Sequence, residues 1–249
     1  MRKFGLIGFP LGHSFSKKYF SEKFEKEGLS DCEFELFEIP KIENIKEVLS
    51  SHPNLEGLCV TIPYKQQVMD FVDEIAPACQ RIGAVNCIQF SDGSLIGHNT
   101  DYVGFKNSLQ NWLGDARPNA LILGTGGASK AVKVALMDLG IEYLMVSRNP
   151  SEGQISYEDL KSDPNLLTAH PLIVNTTPLG TFPKIDQHPD LPLEQLNSSI
   201  LYYDLVYNPD QTTMMKHVEE RGGKAINGLE MLIGQAEAAW TIWNTPKRT

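Results

Sequence analysis

A short apolar segment that runs into a glycine turn constrains the fold of this chain more than any other feature. Leu121–Leu123 leads into Gly124–Gly127, a stretch with helical apolar periodicity follows, and Tyr143–Val146 is a second apolar segment. This order is typical of a strand–turn–helix–strand unit that binds a pyrophosphate at the helix N-terminus. Ser129 stands where a third glycine or alanine is usual, so an ordinary glycine turn in another α/β protein remains the alternative.

The end of the second strand indicates which dinucleotide is bound. NAD-binding units usually carry Asp or Glu there, whereas this chain has Arg148 between Ser147 and Asn149. The planar guanidinium pairs well with phosphate oxygens, so this position favours the 2′-phosphate of NADP. A solvated surface arginine is the alternative.

Length and composition exclude several kinds of partner. The 249 residues suffice for one large domain or two ordinary ones. A net charge of −9 argues against nucleic acid or an anionic membrane as the main partner, and no apolar run reaches the roughly 18 residues of a membrane span. The four cysteines are scattered without zinc-ligand spacing, so we expect no metal site and idle thiols in a reducing cytoplasm.

The remaining patterns predict a two-domain α/β protein. We expect further strands at residues 3–9, 33–39, 55–62, 83–90, 94–97, 172–175, 200–205 and 225–226, and further helices at 16–28, 42–49, 102–113, 212–221 and 228–243. Asp92-Gly93 predicts a hairpin, a short helix is expected from Lys65, and residues 149–171 carry little pattern. The last helix should fold back onto the N-terminal domain.

Three places combine polar residues with strand or helix ends. Ser14 and Ser16 precede a helix, where they would bind a carboxylate or simply cap the helix. Lys65 follows a strand, where open α/β sheets keep their active sites, although most lysines are solvated. Thr100 and Asp101 lead into the helix expected from Tyr102, and either residue could cap it.

Taken together, these segments resemble the NADP-dependent shikimate dehydrogenase family over nearly the whole chain. The resemblance rests on motifs in the family's order: Gly12-His13-Ser14-Phe15-Ser16, Val60–Lys65, Gly83–Asn86, Gly97–Asp101, Gly124–Ser129, Asn175–Pro178, Tyr203-Asp204 with Tyr207, and Gly228–Leu232 with Gln235. It implies reversible reduction of 3-dehydroshikimate to shikimate, in the pathway to aromatic amino acids. It also implies a substrate domain at 1–101 with 228–249, with a mainly parallel sheet, and a Rossmann-like NADP domain at 102–227.

The resemblance also implies roles for individual residues. Lys65 and Asp101 are the expected catalytic pair, and both also contact substrate. The other expected substrate-binding residues are Ser14, Ser16, Thr61, Asn86, Tyr207 and Gln235. The expected NADP-binding residues are Gly124, Thr125, Gly126, Gly127, Ala128, Ser147, Arg148, Asn149, Thr177, Leu205, Gly228 and Met231.

The residue types suit the implied reaction. Hydride addition to a ketone leaves an alkoxide, which needs a proton and a nearby positive charge. Lys65 supplies both, and Asp101 orients the ammonium. Which of the two carries the proton stays open at this point.

Two departures from the family pattern and three alternatives accompany this prediction. No basic residue follows Arg148 before Lys161, so tolerance of NAD stays an alternative, and Pro150 and Gly153 interrupt the helix usual there. The alternatives are an NAD-dependent quinate/shikimate dehydrogenase, a methylenetetrahydrofolate dehydrogenase and a non-catalytic NADP sensor.

We expect the protein to act on a small-molecule substrate and to be a cytoplasmic monomer or homodimer.

Overall fold

The computed structural model describes residues 1–12 and 14–245, so His13 of the serine motif and residues 246–249 of the expected substrate domain lie outside the described residues. The chain forms two compact units. The first comprises Met1–Val103 and Gln235–Thr249, and the second is Gly104–Gly234. Among the described residues, no helix has the length and apolar character that crossing a membrane requires.

A six-stranded mixed sheet forms the centre of the first unit. Its strands are β1 (Arg2–Gly8), β2 (Cys32–Glu38), β3 (Leu55–Val60), β4 (Glu74–Ile75), β5 (Cys87–Ser91) and β6 (Ser94–His98), in the order β2-β1-β3-β5-β6-β4. β1 pairs in parallel with β2 and β3, and β4 pairs in parallel with β6. β5 is antiparallel to both neighbours, and a tight hairpin joins it to β6. The hairpin turns at Asp92 and Gly93, which both have positive φ, as its sequence predicted.

The sheet of the second unit is entirely parallel. Its strands are β7 (Ala120–Leu123), β8 (Tyr143–Val146), β9 (Gln154–Ile155), β10 (Leu172–Asn175), β11 (Leu201–Asp204) and β12 (Lys224–Ile226). They lie in the order β12-β11-β10-β7-β8-β9, which is the strand order of a dinucleotide-binding Rossmann fold. The order reverses between β7 and β10, and ligands bind at such switch points beyond the carboxyl ends of the strands.

Nine α-helices accompany these strands in the described ranges. They are α1 (Phe15–Lys26), α2 (Ile45–Ser51), α3 (Pro77–Ile82), α4 (Thr100–Leu113), α5 (Gly127–Asp138), α6 (Tyr157–Ser162), α7 (Asn165–Ala169), α8 (Thr213–Glu219) and α9 (Leu229–Asn244). The α/β fold class is confirmed, and the Rossmann-like sheet that the glycine turn predicted is present.

The end of α9 completes an aromatic core in the first unit. Trp243 stacks on Phe4, with ring centroids 5.0 Å apart, and contacts Phe20 of α1. Its indole N–H donates to the Ile88 carbonyl at 3.0 Å. Gln89 donates to the last carbonyls of the helix, including that of Ile242 at 2.7 Å. The expected packing of the C-terminal helix on the N-terminal domain is confirmed for the part of α9 that belongs to the first unit, from Gln235 onward.

Gly57 of β3 leaves the space that Trp243 fills. A Cβ at this position would lie 2.3 Å from the indole ring, so Gly57→Ala should force the indole out of a packed core. We expect a loss of about 1–3 kcal/mol in stability, measured as a lower melting temperature. Gly12→Ala is the matched control, because a Cβ there meets no atom within 4 Å. Equal melting temperatures for the two variants would contradict this account of Gly57.

Several sequence-predicted elements are wrong in detail. The strand expected from Gly83 begins at Cys87, because Gly83 has φ +69° and ends α3, which was not predicted. No helix begins at Lys65; turns lead to a 3-10 helix at Gln67–Phe71. The expected helix at 42–49 is a 3-10 turn followed by α2.

The segment after Arg148 is more regular than its sequence indicated. It contains β9, α6 and α7. Ser156 and Asp159 form a reciprocal capping box at the start of α6. The spacing of these two residues is a known helix-start signal and could have predicted the helix.

Candidate active site

Lys65 and Asp101 form an ion pair in the first unit. The Lys65 Nζ lies 2.7 Å from Asp101 Oδ2, and the two side chains are 31% and 21% exposed. An ammonium group carries three N–H donors. One serves Asp101, and the partial exposure leaves the pair accessible to a ligand oxygen.

The backbone of Lys65 is held in place although it is not helical. The preceding side chain, Tyr64, is buried and donates its hydroxyl to the Ile39 carbonyl at 2.5 Å. The Lys65 carbonyl accepts a hydrogen bond from the Val85 N–H at 2.7 Å. A buried anchor and a cross-segment bond therefore fix the base of a flexible side chain, which restricts where its ammonium group lies.

Buried side chains of Asn86, Thr100 and Gln235 form a hydrogen-bonded group within the same unit. Asn86 Oδ1 accepts the Thr100 N–H at 2.6 Å, and Asn86 Nδ2 donates to Thr100 Oγ1 at 3.1 Å. Thr100 Oγ1 lies 3.4 Å from Gln235 Oε1. These contacts fix the orientation of the Asn86 amide, and they also connect α4 to α9. Thr100 has no exposed surface, and no role for it beyond a cap was predicted.

The cap of α4 differs from the expectation. Asn99 Oδ1 accepts the Tyr102 N–H at 3.0 Å, so Asn99 caps the helix instead of Thr100 or Asp101. Its amide also donates to the Ala84 carbonyl at 3.0 Å. Asp101 therefore keeps its carboxylate for Lys65.

The two N-terminal serines have different local roles. Ser14 is the N-cap of α1, and its Oγ accepts the Lys17 N–H at 3.3 Å. Its own O–H remains a donor. Ser16 lies in the first turn of the helix and is half-buried. Thr61 follows β3, is half-buried, and its N–H donates to the Ile7 carbonyl at 3.0 Å.

In the second unit, the glycine turn between β7 and α5 forms an open cradle. Gly124 has φ +96°, and a Cβ there would lie 2.9 Å from the Thr177 methyl. A Cβ on Gly126 or Gly127 would meet nothing within 4 Å. Space above the first N–H groups of a helix suits a pyrophosphate, so these residues fit a dinucleotide. Thr125 and Ala128 flank this space and are exposed.

The departure at Ser129 has a structural explanation. Ser129 is 2% exposed, and its hydroxyl donates to the Gly126 carbonyl at 2.7 Å. The buried hydroxyl is therefore satisfied within the first turn of α5. A serine here is compatible with the helix and sheet packing that a third glycine or alanine usually permits.

Arg148 lies beyond the carboxyl end of β8 and is exposed. The Ser147 hydroxyl accepts the Asn149 N–H at 3.2 Å, which orders the turn around the arginine. Burial raises the pKa of the nearby Tyr157 hydroxyl, and the positive charge of Arg148 opposes that shift. An exposed guanidinium on this ordered turn fits a 2′-phosphate.

The ends of β10 and β11 are joined by a buried polar network. Asn175 Nδ2 donates to Asp204 Oδ1 at 2.9 Å, and Asn175 Oδ1 accepts the Thr177 hydroxyl at 2.7 Å. Asp204 Oδ1 also accepts the Val206 N–H at 3.0 Å, and Asp204 Oδ2 accepts the Thr212 hydroxyl at 2.8 Å. Neither Asn175 nor Asp204 has exposed surface.

Four of the expected ligand-binding residues lie after β11 in the second unit. A Cβ on Gly228 would lie 2.2 Å from the Leu205 carbonyl oxygen, so only glycine allows α9 to begin this close to the strand end. Leu205 is half-buried and Met231 is buried. Tyr207, expected to bind substrate, is 42% exposed and belongs to the second unit.

Burial raises the pKa of Asp204 from 3.8 to about 6, although its hydrogen bonds oppose the shift. Between these two values the folded protein keeps a proton that the unfolded chain releases, so this group makes folding less favourable as pH rises. Asp204→Asn should remove the penalty, which is up to about 3 kcal/mol above pH 6. We expect the variant to have a higher melting temperature than the wild type at pH 7.5 and nearly the same melting temperature near pH 4. An equal difference in melting temperature at both pH values would contradict the raised pKa of Asp204.

The structure brings the predicted residues into two groups. Lys65 with Asp101, and Asn86 with Gln235, make direct or shared contacts within the first unit. Gly124 with Thr177, and Leu205 with Gly228, do so in the second. Thr100, which connects Asn86 with Gln235, was predicted only as a possible helix cap, and the bond between Asn175 and Asp204 was not predicted. Such groups meet only through tertiary structure, so no local spacing could have indicated them.

Two features together define the class of protein. A parallel sheet in Rossmann order carries an open glycine cradle, and a separate unit carries a half-buried lysine–aspartate pair. This combination defines a two-unit dinucleotide-binding protein of the dehydrogenase type. No group of three or more His, Cys, Asp or Glu side chains in the described ranges could hold a metal ion.

Comparison with known proteins identifies the family. Residues 6–88 match the model for the shikimate dehydrogenase substrate binding domain. A shikimate dehydrogenase (NADP(+)) of Clostridium beijerinckii is 37% identical over 98% of this chain and 92% of the relative. The chain therefore belongs to the shikimate dehydrogenase family.

Solved structures agree with this assignment. Shikimate 5-dehydrogenase from Thermus thermophilus, in complex with NADP(H) and shikimate, matches with a TM-score of 0.83 and 30% identity, over 98% of this chain and 94% of that one. The Listeria monocytogenes enzyme, in complex with shikimate and NAD, matches with a TM-score of 0.87 and 28% identity, over 97% and 91% of the two chains.

Proposed function

We propose that this protein is a shikimate dehydrogenase that catalyses the reversible, NADPH-dependent reduction of 3-dehydroshikimate to shikimate, in the pathway to aromatic amino acids. The observation that carries the proposal is the Lys65–Asp101 ion pair, 2.7 Å long and half-buried. Family membership supports the substrate and the cofactor. A non-catalytic NADP sensor would have no use for this pair.

Lys65 is the proposed proton donor. NADPH supplies a hydride to the ketone carbon when bound. As the new C–H bond forms, the carbonyl electron pair moves to oxygen, which takes a proton from the Lys65 ammonium. Asp101 orients that ammonium through the 2.7 Å contact, and the positive charge stabilises the developing alkoxide. In the reverse direction the neutral amine accepts the alcohol proton.

The other polar residues of the first unit are the proposed substrate ligands. Ser14 and Ser16 would bind the carboxylate with hydroxyl donors at the start of α1. Thr61, Asn86 and Gln235 would bind ring hydroxyls, and the fixed amide of Asn86 keeps one N–H for that purpose. Tyr207 would act near the carboxylate.

The second unit is the proposed NADP-binding domain. Gly126 and Gly127, with Thr125 and Ala128, would hold the pyrophosphate at the start of α5. Arg148 would pair with the 2′-phosphate, assisted by Ser147 and Asn149. Thr177, Leu205, Gly228 and Met231 would contact the nicotinamide.

The expected domain bounds, 1–101 with 228–249 and 102–227, are part of the proposal. A cytoplasmic location is also proposed. It is supported by free thiols at Cys32, Cys59, Cys79 and Cys87, which suit a reducing compartment. The protein is proposed to work as a monomer or homodimer.

The test is the initial rate of nicotinamide reduction with shikimate, run with NADP and with NAD, and repeated with quinate. We expect fast turnover with shikimate and NADP. A preference for NAD would overturn the phosphate site and keep the catalytic pair. No turnover with shikimate and either cofactor would overturn the proposed activity.

A further inference from the structure

We propose that the buried pair Asp204–Asn175 is a positioning device for hydride transfer, which holds the loops after β10 and β11 so that Thr177 and Leu205 fix the nicotinamide. This inference rests on the proposed function, because it concerns the same reaction. Neither residue is assigned contact with the cofactor. Both act through the loops that they order.

Asp204 is placed to order the loop after β11. It is the last residue of that strand and has no exposed surface. Its Oδ1 accepts the Val206 N–H at 3.0 Å, which turns the chain around Leu205. Its Oδ2 accepts the Thr212 hydroxyl at 2.8 Å, and Thr212 caps α8. One carboxylate therefore fixes both ends of the segment from the strand to the helix.

Asn175 extends the same order to the loop after β10. Its Nδ2 donates to Asp204 Oδ1 at 2.9 Å, across two adjacent strands. Its Oδ1 accepts both the Thr177 N–H, at 3.0 Å, and the Thr177 hydroxyl, at 2.7 Å. The Thr177 methyl lies against the position of a Cβ on Gly124. The network thus reaches from α8 to the glycine turn.

The buried charge of Asp204 makes this network unfavourable for the stability of the folded protein. Burial is the largest cause of the raised pKa of Asp204, and no lysine or arginine of the described residues is among the groups that act on it. A buried carboxylate without a cation is unfavourable. A purely structural site would be filled more stably by an apolar pair. What the carboxylate offers instead is several acceptor positions at one point, which an apolar side chain lacks.

The test combines Asp204→Ala, Asp204→Asn and Asn175→Ala in the full-length protein. Three quantities are measured: kcat with shikimate and NADP, the Kd of 2′,5′-ADP (the adenosine half of NADP), and the fluorescence spectrum of bound NADPH. Asp204→Ala should lower kcat about tenfold or more, since small misplacements of reacting groups are costly. Its Kd for 2′,5′-ADP should not change, and the nicotinamide emission should move toward that of free NADPH.

Asp204→Asn should recover most of kcat, because an amide oxygen still accepts the Asn175 and Val206 bonds. Asn175→Ala should also lower kcat, leave the Kd for 2′,5′-ADP unchanged and move the nicotinamide emission toward that of free NADPH. If Asp204→Ala fails to fold, Asn175→Ala still tests the proposal. Val218→Ala is the control, since it removes buried volume from α8 and should lower the melting temperature without changing kcat.

Three results would overturn the proposal. They are wild-type kcat in both alanine variants, a parallel loss of 2′,5′-ADP binding, and an Asp204→Asn variant as slow as Asp204→Ala. An inactive wild-type protein would overturn the proposed function instead, and the NADPH spectrum would still decide whether the pair positions the nicotinamide.

Discussion

Lys65→Ala should lower kcat for shikimate oxidation by about a hundred-fold or more, the usual cost of losing a general acid–base group. The KM for shikimate should change much less. Lys65 acts when charge develops on the reacting oxygen, whereas Asn86, Gln235 and the N-terminal serines would still bind the ring. Steady-state kinetics over a range of shikimate concentrations separates the two constants.

Lys26→Ala is the matched control for this variant. Lys26 is an exposed lysine at the end of α1 in the same unit, and its loss removes the same charge from the protein. Its kinetics should equal those of the wild type. Equal losses in kcat and in substrate affinity for Lys65→Ala would mean that Lys65 only positions the substrate.

Arg148→Ala should weaken NADP binding and leave NAD binding nearly unchanged. A charge-assisted bond to a phosphate contributes about 1.5–3 kcal/mol, so the Kd for NADP should rise about ten- to a hundred-fold. The exposed position of Arg148 beyond β8 means that its loss leaves the core intact. Titration with both cofactors measures the change in their ratio.

Lys216→Ala serves as the control for Arg148. Lys216 is exposed on α8 in the same unit, so it tests whether any lost positive charge weakens a phosphorylated ligand. We expect no change in either Kd. If Arg148→Ala weakened NADP and NAD equally, the guanidinium would not recognise the 2′-phosphate.

The sequence predicted the parallel sheet of the second unit well because its signals are local. Apolar runs mark β7 and β10, and Gly124 allows the turn that a positive φ requires. The predictions failed where context overrides local pattern. Gly83 was placed in a strand although it ends α3, and Lys65 was placed in a helix although turns surround it.

The candidate site shows the same difference between what local sequence signals predict and what depends on tertiary structure. Lys65 and Asp101 were predicted through motifs, and their 2.7 Å contact depends on a fold that brings distant segments together. The contacts of Thr100 with Asn86 and of Asp204 with Asn175 could not be predicted. Each joins residues on different elements, and the benefit of burying a polar group is apparent only when its partner is known.

The position of Trp243 has a consequence for how the protein is made. The aromatic core of the first unit contains Phe4 from the first strand and Trp243 from the last helix. During synthesis the N-terminal strands leave the ribosome long before that tryptophan does. The second unit is one continuous segment, Gly104–Gly234, and domains generally fold as units once their chain has emerged. The second unit therefore has its complete sequence first, and the first unit can close its aromatic core only after Trp243 has emerged.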